Sequence, residues 1–309
     1  MKTRIGVGFI GWPFPKVDPA YAWEFIDMSE ELGLDSIWLA DRIVSSAMSL
    51  ESMTFMGALA GRTKKMKFGN SVIALPLRNP AVLAKEIATV DFLSGGRMLP
   101  AVGLGTDSPN EFEACGVSMK ERAPRTDEMI VLMRKLWSED KVTFQGRFYK
   151  TTEASIRPRP FQKPCPPIWI GGRTEAAYRR VGRLGDGWLT SFLSPPEVGK
   201  GIERIRVHAA EAGRAVPEDH YGTIISYCFG ESREAAARTA QPYLLRRRED
   251  LPLGAYCALG TTEDIAGLIR DYVNAGATKF VLRGCCPPDQ VLAQNERVAR
   301  EIAPLFHGK

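Results

Sequence analysis

Apolar residues in this chain come in short, nearly continuous runs of strand length, each followed by a stretch where they recur every three or four positions. The runs at 5–10, 36–40, 68–75, 98–103, 167–170, 187–192, 221–229 and 279–282 predict strands. The periodic stretches predict helices over 20–32, 50–63, 80–93, 127–137, 175–184, 196–212, 233–245 and 263–275, and a last one over 289–305. Asn79-Pro80 reads as a helix start and Ser94-Gly95-Gly96 as its stop, because proline suits the first helical position and glycine the end.

Strands without polar alternation are buried on both faces, which implies a parallel sheet covered by helices. Eight strand–helix repeats favour an α/β fold of the (β/α)8 TIM-barrel type over an open doubly wound sheet. The regularity breaks twice. Residues 142–149 read as a hairpin around Gln145-Gly146, followed by a proline-rich run over 157–167, and residues 248–262 lack any period. The second insertion is expected over the barrel mouth. No stretch has the composition of a linker, so residues 1–309 are expected to form one domain.

Composition narrows the function classes. The net charge of +5, from 41 basic and 36 acidic residues, is small and dispersed, which argues against nucleic acid as a partner. Arg246–Arg248 reads as a solvated helix end. No apolar run is long enough to cross a membrane, and residues 5–10 read as a core strand rather than a signal peptide, so a cytoplasmic protein is expected. The six cysteines form no C-x-x-C pair and adjacent Cys285 and Cys286 are badly placed to bridge, so free thiols are expected. Three histidines without ligand spacing leave no metal site in view.

Candidate chemistry lies at the ends of the predicted strands, where barrel active sites sit. Gly171 and Gly172 deliver a strand directly to a helix start, with Thr174 as N-cap and Arg173 beside it. Such a turn is an anion site for backbone amides, or simply a tight strand-to-helix connection. A second glycine-rich segment, Gly103 to Glu111, follows the fourth strand. Asp41 and Arg42 follow the second.

These segments together resemble the luciferase-like flavin oxidoreductase family. The resemblance rests on the strand ending Leu77-Arg78-Asn79-Pro80, the helix ending Leu93 to Arg97, and Gly103-Leu104-Gly105. It continues through Glu121–Glu128, Pro167-Ile168-Trp169-Ile170-Gly171-Gly172 and Asp186-Gly187-Trp188. It implies that Gly171, Gly172, Arg173 and Thr174 hold a cofactor phosphate, and that Thr106 and Asn110 face the ring and ribityl chain. It also implies that Ser71, Val72 and Ala74 prop the ring, with Ser71–Val72 as a cis peptide. Asp107 stands where some relatives have glycine. Arg42 stands where the family commonly has histidine, and arginine stays charged near neutrality, so it cannot shuttle a proton as histidine does. It is expected either to clamp an anion in the active site, alongside Asp41, or to pair with Asp41 or another acid at the barrel rim.

The resemblance implies a monooxygenase using reduced FMN and oxygen on a small organic substrate, with a separate flavin reductase expected as donor. The alternative is a hydride-transfer oxidoreductase using coenzyme F420. Two rivals are a flavin-binding protein without catalysis and a phosphate-binding lyase or isomerase relying on Asp41 and Asp107. A homodimer is expected through the helices at 50–63 and 80–93, the first carrying Met53, Phe55, Met56 and Leu59 beside small Gly57, Ala58, Ala60 and Gly61. Gly172→Val is expected to block the phosphate while leaving the melting temperature nearly intact.

Overall fold

A computed structural model describes residues 2–244 and 248–306. In chain order the first half runs β1 (Arg4–Phe9), α1 (Pro19–Glu31), β2 (Ser36–Leu39), α2 (Ser52–Arg62), β3 (Lys67–Asn70), β4 (Ile73–Ala74), α3 (Pro80–Ser94), β5 (Met98–Leu99), β6 (Ala101–Gly103), α4 (Pro109–Ala114), α5 (Arg122–Ser138), β7 (Val142–Gln145) and β8 (Lys150–Ala154). The second half runs β9 (Trp169–Gly171), α6 (Glu175–Leu184), β10 (Gly187–Ser191), α7 (Pro195–Glu211), β11 (Tyr221–Phe229), α8 (Arg233–Ala240), β12 (Ala258–Gly260), α9 (Thr262–Asn274), β13 (Lys279–Gly284) and α10 (Val291–Arg297).

The main sheet is parallel throughout and closes on itself. β3 pairs with β5 and β4 with β6, so each broken pair acts as one barrel strand, and β6 meets β9 at Val102–Ile170. The barrel expected from the pattern is therefore present, with β12 appended to β11 and the antiparallel β7–β8 hairpin set apart. Asn79 caps α3 by accepting from the amides of Ala81 and Val82, and Gly95 ends it at φ +67°, as the sequence predicts.

Several boundaries differ from the pattern. The run at 68–75 splits where Ser71–Val72 is cis, and the run at 98–103 splits at Pro100, which has no N–H for the ladder. The segment at 289–305 is a 3-10 turn, α10, a π-turn and a second 3-10 turn rather than one helix. The helix expected to reach 245 ends at Ala240; residues 245–247 and 307–309 lie outside the described residues, and with them Arg246 and His307. Arg248 is no solvated helix end: it pairs with Glu197 at 2.7 Å and with Asp250.

Side chains of alternate strand residues fill the barrel, where Trp38, Leu99, Ala101, Trp169, Leu189 and Val281 form a buried cluster. Lys279 and Arg283 share the parity of Val281 on β13, one toward each end. Lys279 is buried at the amino-terminal end, pairs with Asp35, and lies 5.6 Å from the Trp38 ring; burial pulls it down to about 8.

Outside the barrel, buried His208 of α7 lies 2.5 Å from Glu175 of α6 and 2.9 Å from Glu211. Glu175, then Glu211, raise its pKa, while Arg204 and His208 lower Glu175 to about 2. A raised histidine contributes stability that is complete below its unfolded value of about 6.5 and lost as pH rises through the folded value. Melting temperature is therefore expected to fall across that alkaline side, and His208→Gln to flatten this segment of the pH profile; identical slopes would contradict it. Among the described residues no helix is long and apolar enough to cross a membrane, all six cysteines are free, and no acid, histidine or cysteine cluster could hold a metal.

Candidate active site at the strand ends

Asp41 follows β2 and its carboxylate is fully committed. Ser52 Oγ donates to Oδ1 at 2.8 Å, Arg78 Nη2 donates to the same oxygen at 2.6 Å, and the Ala74 amide donates to Oδ2 at 3.0 Å. Burial works against the charge of Arg78, but Asp41 and Glu51 hold it above its ordinary value. Asp41 thus ties β2 to α2 and to the β4 turn, and it does not line the cavity described below.

Arg42 has a different set of partners, and it too lies outside the lining of that cavity. Its Nη1 donates to Thr106 Oγ1 at 2.7 Å, and its Nε lies 3.6 Å from the carboxylate of Glu111 on α4. Glu111 is almost wholly buried and accepts from the amides of Ile43 (2.7 Å) and Val44 (3.2 Å). One carboxylate therefore shapes the loop after β2 and orients Arg42. The rim partner of Arg42 is Glu111, not Asp41. Asn110 is exposed on α4, and exposed Asp107 pairs with Arg122 at 2.7 Å.

The side chain of Val72 joins three strand ends. A Cβ on Gly103 would lie 2.6 Å from its Cγ2, and one on Gly171 would lie 3.2 Å from its Cγ1. The segment of Ser71, Val72 and Ala74 thereby meets the Gly171–Thr174 turn. Thr174 caps α6 by accepting from the Ala177 amide, and the Arg173 guanidinium sits 5.8 Å from the Phe192 ring. The carbonyl of Gly172 is fixed by Trp188 Nε1 at 2.8 Å.

Gly172 has φ +128°, and an added Cβ would stand 2.6 Å from that of Ala177. The expectation that Gly172→Val spares the fold is therefore corrected. Strain at this φ and overpacking against α6 are expected to cost about 2–4 kcal/mol, measurable as a shifted urea midpoint. An unchanged midpoint would show that the turn relaxes freely.

Beside this cradle, the carboxyl ends of β1, β10, β11 and β13 enclose a cavity of about 320 Å³. Phe9, Trp12, Phe192, Tyr227 and Tyr256 give it aromatic walls, and Arg283 enters from β13. Arg283 Nη2 donates to the Ser71 carbonyl at 3.0 Å and to Ser71 Oγ, joining the cavity to the cradle. Tyr256 and Cys257 come from the insertion at 248–262, which does border the mouth. Burial pushes Cys257 and Cys286 up to about 12, so these thiols stay protonated near neutrality. His208 and His220 are remote from the cavity lining: the first packs between α6 and α7, and the second has Nδ1 2.7 Å from the Asp186 carbonyl.

Sequence reasoning named Glu111 only as the end of the glycine-rich segment, with no role, and passed over Arg283. Both carried a signal: each is a charged residue next to a strand end or glycine-rich turn on the active-site side of a barrel. The predicted last strand stopped at Leu282, one residue before Arg283.

The model of the luciferase-like monooxygenase family matches residues 8–254. An F420-dependent glucose-6-phosphate dehydrogenase of Amycolatopsis mediterranei is 37% identical over 188 residues, covering 58% of this chain and 54% of that protein. An FMNH(2)-dependent dimethylsulfone monooxygenase of Pseudomonas putida is 34% identical over 169 residues, covering 54% of this chain and 46% of that one. The chain spans about half the length of the curated relatives it matches. An F420-dependent secondary alcohol dehydrogenase, solved with an F420-acetone adduct, superposes with a TM-score of 0.81 at 24% identity, over 98% of both chains. That likeness is one of fold.

Proposed function

Because the chain belongs to the luciferase-like monooxygenase family of oxidoreductases, we propose that it is a hydride-transfer enzyme that uses coenzyme F420. Membership sets aside an unrelated phosphate-binding lyase or isomerase, and likeness to two enzymes weighs against a flavin-binding protein without catalysis. The observation that carries the choice of cofactor is the 37% identity to an F420-dependent dehydrogenase, which reverses the order the motifs alone suggested. The monooxygenase from Pseudomonas putida, at 34%, keeps reduced FMN with oxygen as the second reading.

The residues present fit a phosphate-bearing flavin-type cofactor. The glycine turn at 171–172 feeds a capped helix start beside Arg173, and close packing of Val72 on Gly103 and Gly171 gives a smooth cradle. In this reading Gly171, Gly172, Arg173 and Thr174 hold the phosphate, Thr106 and Asn110 face the ribityl side, and Ser71, Val72 and Ala74 back the ring. When bound, coenzyme F420 supplies a two-electron hydride carrier. Arg42, oriented by Glu111 and Thr106, offers a fixed positive charge for an oxygen that becomes more negative during transfer. Asp41 has no oxygen to spare and serves as a positioning residue, while the aromatic walls exclude water.

Titration with coenzyme F420 and FMN, each oxidised and reduced, tests this. A preference for F420 of more than about tenfold, or 1.4 kcal/mol, is expected. A like preference for reduced FMN, with oxygen consumed, would carry the second reading instead; binding of neither would overturn both.

A homodimer through α2 and α3 is part of the proposal. Met53, Phe55, Met56 and Leu59 pack into the protein's own core, whereas Gly57, Ala58 and Gly61 are exposed, with open space beyond both glycines. Val82, Phe92 and Leu93 are exposed on α3. Sedimentation at micromolar concentration is expected to give a dimer and Gly57→Arg a monomer; a wild-type monomer would refute it.

A further inference from the structure

The barrel interior holds two cations on one strand, and they are treated differently. Lys279 at the amino-terminal end has Asp35. Arg283, two turns of the pleat further along β13, forms no ion pair among the described residues, and its Nε has no hydrogen-bond partner. Among the described residues its only hydrogen-bond acceptors are the carbonyl and hydroxyl of Ser71, both reached by Nη2. In register it lies between Gly8 of β1 and Ser226 of β11, two small residues that leave room for a guanidinium and supply no charge.

Among the described residues the cavity lining carries no acidic side chain, and Asp289 acts on Cys286 from outside that lining. The thiols of Cys257, Cys285 and Cys286 and the phenol of Tyr227 are all pushed up by burial and are neutral near pH 7. Burial alone pulls Arg283 down to about 9, which still leaves it charged there. Arg283 is half-buried with its Nε shut off from solvent, and a charge so placed without a counter-charge is unfavourable, a cost that an anionic ligand in the cavity would offset.

We propose that Arg283 is the anchor for an anionic group, a carboxylate or phosphate, on a small substrate whose apolar body lies against Phe9, Trp12, Phe192, Tyr227 and Tyr256. A planar guanidinium with free N–H groups suits two oxygens of such an anion. The cavity, at about 320 Å³, matches a ligand at the small end of the usual range. The substrate class therefore becomes a compact aromatic or branched organic anion. This rests on the oxidoreductase reading of the same site, but the two can fail separately.

The test is binding, read by tryptophan fluorescence and calorimetry on the full chain. Phenylacetate and phenyl phosphate are compared with neutral phenylacetamide, with and without cofactor. The anions are expected to bind at least about tenfold more tightly than the amide, and the preference to shrink as salt is added. Arg283→Gln keeps a donor for Ser71 while removing the charge, and is expected to abolish the preference; Arg283→Lys should keep part of it. Cofactor affinity, titrated separately, is expected to move by less than about threefold in Arg283→Gln. Equal or absent binding of the anions by the wild type overturns the proposal without needing any variant to fold. So does a preference that survives Arg283→Gln. Loss of cofactor binding by the same factor as anion binding would assign Arg283 to the cofactor and also overturn it. Anion preference without any F420 or FMN binding would uphold it while refuting the cofactor reading.

Discussion

Asp41→Ala is expected to lower stability by about 3–5 kcal/mol. Removing the carboxylate strands Arg78, whose side chain is only 13% exposed, with exposed Glu51 as its remaining partner. The buried Ala74 amide loses its acceptor and Ser52 Oγ loses its own. Each orphaned donor adds about 1–3 kcal/mol. Asp41→Asn returns an acceptor without charge and is expected to recover part of the loss. Urea denaturation measures both. Asp41 does not line the aromatic cavity but holds the Ala74 amide beside the proposed cradle, so the fraction of Asp41→Ala that stays folded is expected to bind cofactor more weakly as well. A well-folded Asp41→Asn without turnover would instead make Asp41 part of the chemistry.

The barrel was legible because its evidence is local and repeated. Continuous apolar runs and helix periods recur, and caps such as Asn79 act within a few residues. The breaks inside the third and fourth barrel strands were harder. Ser71–Val72 came only from the resemblance, and the split at Pro100 was overlooked although proline there removes a ladder donor. The pairing of site charges was not legible at all. Asp41 and Arg42 are neighbours in sequence, yet Asp41 pairs with Arg78 and Arg42 with Glu111. Successive residues at a strand end point to opposite sides, so adjacency argued for the wrong pair. Gly171 and Gly172 were found, but the close approach of Val72 and Ala177 explains them as fully as a phosphate does. Steric demand and ligand demand select the same residue there, and only binding separates them.

Arg42→Ala is expected to lower turnover by about 100-fold, near the loss seen when one preorganised donor to a developing anion is removed. The reason is the way Arg42 is held. Thr106 accepts from Nη1 at 2.7 Å and the Val44 carbonyl from Nη2 at 3.4 Å, while Glu111 faces Nε at 3.6 Å without a hydrogen bond, so the guanidinium is held at two points beside a counter-charge while its side chain remains 29% exposed. Glu111 keeps its two backbone donors without Arg42, so the loop after β2 should survive and the fold should lose only about 0–1 kcal/mol. Arg42→Lys keeps the charge but cannot reach Thr106 and Glu111 with one planar group, and an intermediate fall of about tenfold is expected. Arg42→His places a titratable ring beside Glu111 and should make turnover depend on pH near about 6.5 or above, because the neighbouring carboxylate favours the charged ring. Turnover is read from cofactor absorbance against a panel of small carbonyl compounds, and cofactor affinity is measured alongside. A fall in rate that outruns any fall in affinity separates an active-site charge from a rim ion pair. Equal rates in all three variants would leave Arg42 as no more than the counter-charge of Glu111.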